Sequence, residues 1–344
     1  MSVYVARICL SNFPSSSTIC TVMKTRILLA LLAVGVVLPW TAAAKEKRPT
    51  GPVAPIGWLD LHAGSRDLLV PEPDLQKAAR LVPQGALLPV FKTREKRGAE
   101  FAQVGVLNLN TGSSELGWVK INLSELKPPE SYPTDSELLR LLGVPYLDDF
   151  NAEHTDIARF LVGRASGPPA LLCYVYTGPL SMAKLVVFVP SQRNYSPGAA
   201  LDFPISEMKA GITFLEIRDL IGDGSDCVIS KERFREQAQT SGADLRIRRI
   251  ADGQFQVLWQ APIEFQNLSQ YSPRMQILQP PEQNIGAPGT VTTGEVTFRP
   301  NGKGQEPVWK GKVDFFVIGR DKPVDFVKIE KACPWNGQAF EPLR

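Results

Sequence analysis

Leu245-Arg246-Ile247-Arg248-Arg249-Ile250-Ala251-Asp252-Gly253-Gln254-Phe255-Gln256-Val257-Leu258-Trp259 decides how the rest of this 344-residue chain is read. Asp252-Gly253 is a two-residue hairpin signal, because Asp-Gly accepts the positive φ that a tight turn between strands needs. From Phe255 to Trp259 the bulky residues fall at every second position, as one buried sheet face requires. The pattern predicts an antiparallel hairpin. Similar runs surround it: Ile157–Val162 and Ala170–Tyr176 flank Ser166-Gly167-Pro168-Pro169, and Leu185–Val189, Ile212–Ile217, Val313–Ile318 and Phe326–Ile329 are further strand candidates.

The N-terminal half carries shorter bursts: Leu68-Leu69-Val70, Ala86–Phe91, Phe101–Leu109 and Trp118–Leu123, with Pro71, Pro73, Gly85, Gly98 and Gly112 between them. Bursts of that length between turn-formers predict a small all-β barrel. Asp135 to Gly143 reads as one short helix, capped by Asp135 or Ser136 and ended by Gly143 ahead of Pro145. Lys231–Thr240 is ambiguous, and 266–290 reads as a long irregular loop of the kind that carries binding groups. The expected fold is mainly β: a small barrel at 58–127, a Pro-rich linker at 128–134, and a larger antiparallel β-rich domain at 135–344. With 27 Gly and 29 Pro and a 44% hydrophobic fraction, the composition agrees with a globular, turn-rich chain.

Export is the clearest address. Met23-Lys24-Thr25-Arg26 is a basic start, Ile27–Leu38 an apolar run, and Ala42-Ala43-Ala44 a small-residue end. Together they predict a cleavable signal at 23–44, with 1–22 a translated upstream stretch and 45–57 a flexible lead-in. Twelve apolar residues fall short of the roughly 20 that a spanning helix needs, so no permanent membrane anchor is expected. The expected location is secreted or periplasmic. Cleavage after Ala44 would remove Arg7, Lys24 and Arg26 and no carboxylate, leaving 35 basic against 35 acidic groups. A chain without net charge lacks the field that holds phosphate backbones, so nucleic acid is not an expected partner. Lys92–Arg97 reads as a solvated hairpin tip.

A family resemblance enters at Leu81-Val82-Pro83-Gln84-Gly85, Leu87–Lys92, Phe101-Ala102-Gln103-Val104 and Gly117-Trp118-Val119. Over about 60 residues this resembles a bacterial SH3-like domain, with Phe101 where the family often has Trp and an insert over Lys92–Glu100. The resemblance implies a five-stranded barrel that binds cell-wall peptides or short partner peptides, or packs on a neighbouring domain. A ring at a barrel rim serves as a core plug or as a ligand platform; Trp118 is read first as a plug, and with Phe101 it is the candidate ligand platform.

Asp219-Leu220-Ile221-Gly222-Asp223-Gly224-Ser225-Asp226 resembles the Asp-rich loop of FG-GAP/VCBS-type β-propeller repeats. That resemblance implies a Ca²⁺ held by Asp219, Asp223 and Asp226, since a tight turn brings alternate oxygens to about 2.4 Å from the ion. Ile221 and Cys227 stand at two ligand positions, and the residues alone are read as a turn fixed by Asp hydrogen bonds and by Gly222 and Gly224. Fainter echoes lie at Asp149–Ala158 and Asp321–Val327. Apart from calcium, no cofactor is expected.

No motif fixes a reaction, and no catalytic residue is assigned. The only acid/base cluster is Asp148, Asp149, Glu153 and His154, and His62 has no identifiable partner. Cys173 reads as a buried small hydrophobe; an oxidising compartment permits one bridge, for which Cys227 and Cys333 are the first pair to test. The expected function is therefore an exported cell-envelope binding or scaffold protein with a wall peptide, glycan or protein partner. An envelope-polymer hydrolase using the 148–154 cluster and a calcium-stabilised adhesion module are the alternatives.

Overall fold

A computed structural model describes residues 54–343 except 63, 70–71, 74–77, 110–111, 144–154, 178–181, 192–194, 205–210, 238–239, 268–288 and 317–321. The first six strands are β1 (Gly57–Asp60), β2 (Arg66–Leu69), β3 (Ala78–Val82), β4 (Ala86–Lys96), β5 (Ala99–Asn108) and β6 (Ser113–Ile121). A 3-10 turn at Leu123–Glu125 follows, and Lys127 then bridges Trp58, so β1 is held between that segment and β4. Lys92–Glu100, expected as an insert, is the tip of the β4–β5 hairpin, exposed and turned at Arg97-Gly98.

Helix α1 (Asp135–Leu141) comes next. Its cap is Thr134 rather than Asp135 or Ser136: the Thr134 hydroxyl accepts from Glu137 N–H, and the Glu137 carboxylate accepts from Thr134 N–H. The reciprocal pair is a capping box, which satisfies two end donors at once. Backbone and hydroxyl bonds from Thr134 hold the Glu137 carboxyl below its usual range.

Strands β7 (Thr155–Val162), β8 (Ala170–Thr177), β9 (Met182–Pro190) and β10 (Tyr195–Pro204) form an antiparallel meander. They do not form a separate sheet. Ala86 and Leu87 of β4 pair with Phe160 and Arg159 of β7, giving one ten-stranded sheet ordered β10-β9-β8-β7-β4-β5-β6-β2-β3, with β1 beside β4. The boundary expected at 128–134 is thus not a break in the hydrogen-bonded sheet. That stretch forms a 3-10 turn at Pro129–Ser131, and the Tyr132 ring meets Trp58 edge-on at 6.0 Å.

The second sheet is a seven-stranded antiparallel meander in chain order: β11 (Gly211–Arg218), β12 (Cys227–Gln237), β13 (Thr240–Ala251), β14 (Gln254–Asn267), β15 (Gly289–Asn301), β16 (Gly304–Phe316) and β17 (Asp325–Ala332). Ambiguous Lys231–Gln237 is strand. Asp252 and Gly253, at φ 51° and 72°, make the expected turn between β13 and β14. The alternation beyond it breaks. Ile247 pairs with Trp259 and Arg248 with Val257, so Leu258 is an extra residue, a β-bulge. Leu258 and Trp259 are both buried as a result, and Val257 faces solvent.

The main core crosses both sheets. Leu172, Leu185 and Val187 pack in one cluster with Val90, Val104 and Val119 and with Leu215, Ile217 and Val228 of the second sheet. Leu161, Leu171, Cys173 and Phe188 point the other way, toward Trp58 and the α1 residues Leu138 and Leu139. Strand β8 is therefore covered on both faces, which is why its sequence is continuously apolar rather than alternating. Cys173 is fully buried there, and burial pushes its thiol up to about 12. Among the described residues no helix is long and apolar enough to cross a membrane.

The turn before β4 holds these parts in register. Gly85 N–H donates to Leu61 C=O at 2.9 Å, its C=O accepts from Leu161 N–H at 2.8 Å, and Gln84 C=O accepts from Ile217 N–H at 3.3 Å. Gly85 is buried at φ 81°, and a Cβ there would collide with the Ile217 side chain. Left-handed backbone and an overfilled site each cost about 1–3 kcal/mol. Gly85→Ala is expected to lower stability by about 2–4 kcal/mol in urea denaturation; a loss under about 1 kcal/mol would show that the junction yields.

Candidate functional site

The acidic loop joins β11 to β12, and its carboxylates are turned inward on the backbone. Asp219 accepts from the N–H groups of Ile221 at 3.1 Å, Gly222 at 2.7 Å and Gly224 at 3.0 Å. Asp223 accepts from Ser225 N–H at 2.9 Å and pairs with Arg249. Asp226 points elsewhere, accepting from Gly163 N–H at 2.6 Å. The three carboxylates expected around one ion hold three different parts of the structure. Among the described residues no three His, Cys, Asp or Glu are placed to share a metal.

Asp226 is the loop's tie to the first sheet. Its N–H donates to Gly163 C=O at 3.0 Å, and Ala165 N–H donates to the Ser225 hydroxyl at 3.1 Å. The partner that sequence did not provide for His62 is here: its Nε2 lies 3.5 Å from Asp226 Oδ2. His62 is fixed in turn by its own N–H to Asp60 Oδ1 and by Gln84 Nε2 on its carbonyl. Burial raises the Asp226 carboxyl above its ordinary 3.8, against the Gly163 bond and His62, which lower it.

Trp118 and Phe101 come together as a satellite core with Leu69. At 8% and 1% exposure neither ring offers a face to a ligand, so both are plugs, the role read first for Trp118, and neither is the candidate platform. Pairing of β2 with β6 puts Leu69 directly opposite Trp118, so its side chain packs beside the indole on the same face. Cys227 and Cys333, the pair open to a bridge, lie in one core cluster as free thiols. Burial pushes both thiols up, that of Cys227 to about 12. Asp148, Asp149, Glu153 and His154 lie outside the described residues, as does most of 266–290.

The charged side chains of β12 and β13 include a buried network that sequence did not signal. Glu232 accepts from Arg248 Nη2 at 2.9 Å and lies 3.0 Å from Arg246 Nη1, and Arg248 Nη1 reaches the Ser230 hydroxyl at 3.0 Å. Glu232 answers both guanidinium groups, which is what keeps charge tolerable inside a sheet stack, while Nε of Arg246 is left without a hydrogen-bond partner among the described residues.

An open concavity lies elsewhere. A groove of about 340 Å³ is walled by Arg80 and Leu81 of β3, Leu107 of β5, Ile157 of β7, and Phe214 and Glu216 of β11. Its volume is at the lower end for ligand clefts. Leu81 is 67% exposed and Phe214 39%, so two large apolar side chains stand at one opening. Glu216 is occupied by Arg218. Arg80 is less well served. Its Nη2 is 3.5 Å from Glu115 Oε2, beyond a good hydrogen bond, while Glu115 Oε1 accepts from Asn108 at 3.0 Å. Nε and Nη2 of Arg80 have no hydrogen-bond acceptor among the described residues. Leaving such donors unmet costs on the order of 1–3 kcal/mol. Leu81 belonged to a recognised sequence pattern, but nothing local linked it to Phe214, 133 residues later.

Protein-family models, curated proteins and solved structures were searched as three independent points of likeness to this fold and groove. None of the three gives a match.

Two outcomes test the loop. Asp219→Ala removes the acceptor of three N–H groups and is expected to cost about 1–3 kcal/mol in urea denaturation. The turn-holding role also predicts one melting temperature in calcium and in EDTA; a higher one in calcium would mean that the folded chain binds the ion. For Asp226, the folded chain holds the proton more tightly than the unfolded chain. Stability from this group is therefore full below 3.8 and is lost as pH rises through the raised value. Relative to Asp226→Asn, the unchanged chain should gain stability as pH falls through that window. A difference independent of pH would contradict the burial argument.

Proposed function

We propose that this chain is an exported cell-envelope binding or scaffold protein, and that the 58–127 region is an SH3-like module contributing to its binding surface. The observation that carries this reading is the groove beside Leu81 and Phe214, which joins β3 and β5 of that region to β7 and β11. The strand arrangement supports it too: β1 beside β4, then β5, β6 and the β2–β3 hairpin, with a 3-10 turn leading back to Trp58. The basic, apolar and small-residue succession over 23–44 supports export.

On this reading the partner is a wall peptide, glycan or protein met outside the cytoplasm. The groove, not Trp118, is where contact is made. Expression from Met23 in a bacterium is expected to yield an exported chain beginning near Lys45, read by fractionation and N-terminal sequencing. A cytosolic chain retaining 23–44 would overturn the export reading. The exported chain should be retained on purified wall fragments. Leu81→Asp, at an exposed position that folding tolerates, should cut retention by about tenfold, equivalent to 1.4 kcal/mol. Unchanged retention would remove the groove from the binding surface.

A further inference from the structure

The two sheets end in four strands, and three of those ends are blunted. β10 carries Pro197 and Pro204 and a register shift between Pro197 and Ala200. β3 is five residues long, and β11 is tied off where Ile217 N–H donates to Gln84 C=O. β17 differs. Its eight residues, Asp325–Ala332, keep one unbroken register with β16 and contain no proline, and no strand lies beyond them among the described residues. Such an edge is a template for another strand. Which groups it offers follows from the ladder. Cys333 N–H donates to Pro307 C=O at 2.9 Å, continuing the register in which Ala332 faces Val308. Bonding positions alternate along an antiparallel pair, so the odd-numbered residues of β17 bond β16. The N–H and C=O groups of Phe326, Lys328, Glu330 and Ala332 then face outward. Phe326 agrees, since its N–H is met by Asp325 Oδ1 at 2.7 Å rather than by β16. Lys328 and Glu330 are both exposed.

We propose that β17 pairs antiparallel with β17 of a second copy of this chain, about a twofold axis at Ile329, so that the second sheet of each copy continues into that of the other. Charge selects both the partner and the register. With Ile329 opposite Ile329, Lys328 of each copy faces Glu330 of the other, and opposite charges meet twice. The same two residues exchange their outward backbone bonds. Centring on Lys328 or on Glu330 would set like charges face to face. Centring on Val327 would call on the Phe326 N–H, which Asp325 already meets. On the inner face Val327 and Ile329 pack against the core of the second sheet, and the Lys331 ammonium goes to Pro342 C=O at 2.9 Å. Within its own copy Glu330 lies 3.1 Å from Lys310 through Oε2, an exposed pair that competes weakly. An edge lysine ordinarily repels strand pairing. Here the glutamate two positions on turns that lysine into a partner. Because β17 ends its sheet, the same patch is used on both copies and the contact closes at two chains. None of this depends on the groove, whose walls are other strands.

Sedimentation equilibrium on the full chain tests this between about 1 and 500 µM. A contact this short buries less than the roughly 1,200 Å² of a stable interface, so the dimer is expected with a Kd on the order of 10–100 µM. Lys328→Glu and Glu330→Lys each set like charges together at both pairings and should raise Kd at least about tenfold. Combining the two reversals restores opposite charges and should return Kd to within about threefold of the unchanged chain. Lys328→Pro removes an outward N–H, a change that an edge strand tolerates, and should abolish the dimer. Amide hydrogen exchange at Lys328 and Glu330 should slow as the chain concentration rises. Melting curves report folding, and the exposed charge reversals keep the test decisive if Lys328→Pro does not fold. The mass of one chain at every concentration overturns the proposal and leaves this edge to a strand of another protein. A dimer that withstands both single reversals, or that the double reversal fails to restore, overturns the pairing as well. Retention on wall fragments is read separately, so either failure leaves the groove reading untouched.

Discussion

Gly85 is the point on which the arrangement turns. Its backbone bonds reach Leu61 on one side and Leu161 on the other, while its neighbour Gln84 receives Ile217 from the second sheet. Three groups of strands meet at one residue that has no side chain. Any Cβ would occupy the space of Ile217, so the closeness of the two sheets is set by that absence. The core shared by Val90, Leu172 and Ile217 depends on the same closeness, and so does the groove, whose walls come from β3, β5, β7 and β11.

Charge is distributed by the same logic. Where backbone donors are exposed at a turn, a carboxylate closes them, as Asp219 does for three N–H groups. Where a charged side chain is carried inside, it is answered by another, as Arg248 is by Glu232 and Arg159 by Asp135. A buried ion without a partner would be severely penalised, so unmet donors draw the eye. The match is not complete: Nε and Nη2 of Arg80, Nε of Arg159 and Nε of Arg246 are buried without a hydrogen-bond partner among the described residues.

Much of the secondary structure was legible because its causes are local. The Asp252-Gly253 turn, the Ser166–Pro169 hairpin and the helix after Thr134 are each specified within a few residues. So is the Asp219 turn, whose acceptor and donors lie two to five positions apart. Reading failed where the cause was distant or the composition atypical. β10 contains Pro197, Gly198 and Pro204, tolerated because it is an edge strand, and β15 is rich in threonine and glycine with little apolar alternation. The bulge at Leu258 left no mark in the five-residue pattern, since an extra residue is visible only against its partner strand. For Trp118 and Phe101 the sequence left plug and platform both open, because it shows a ring but not what packs against it.

By itself the sequence determined that the described chain is built of antiparallel strands, because alternation, turn chemistry and apolar runs act over short distances. It also determined which turns carry Asp and Gly. Only the tertiary structure decided that β4 pairs with β7 across the Pro-rich stretch, that His62 meets Asp226, and that Leu81, Arg80 and Phe214 share one groove. Those contacts join residues far apart in the chain, and their partners are chosen by how two sheets fit around Gly85 rather than by any local preference.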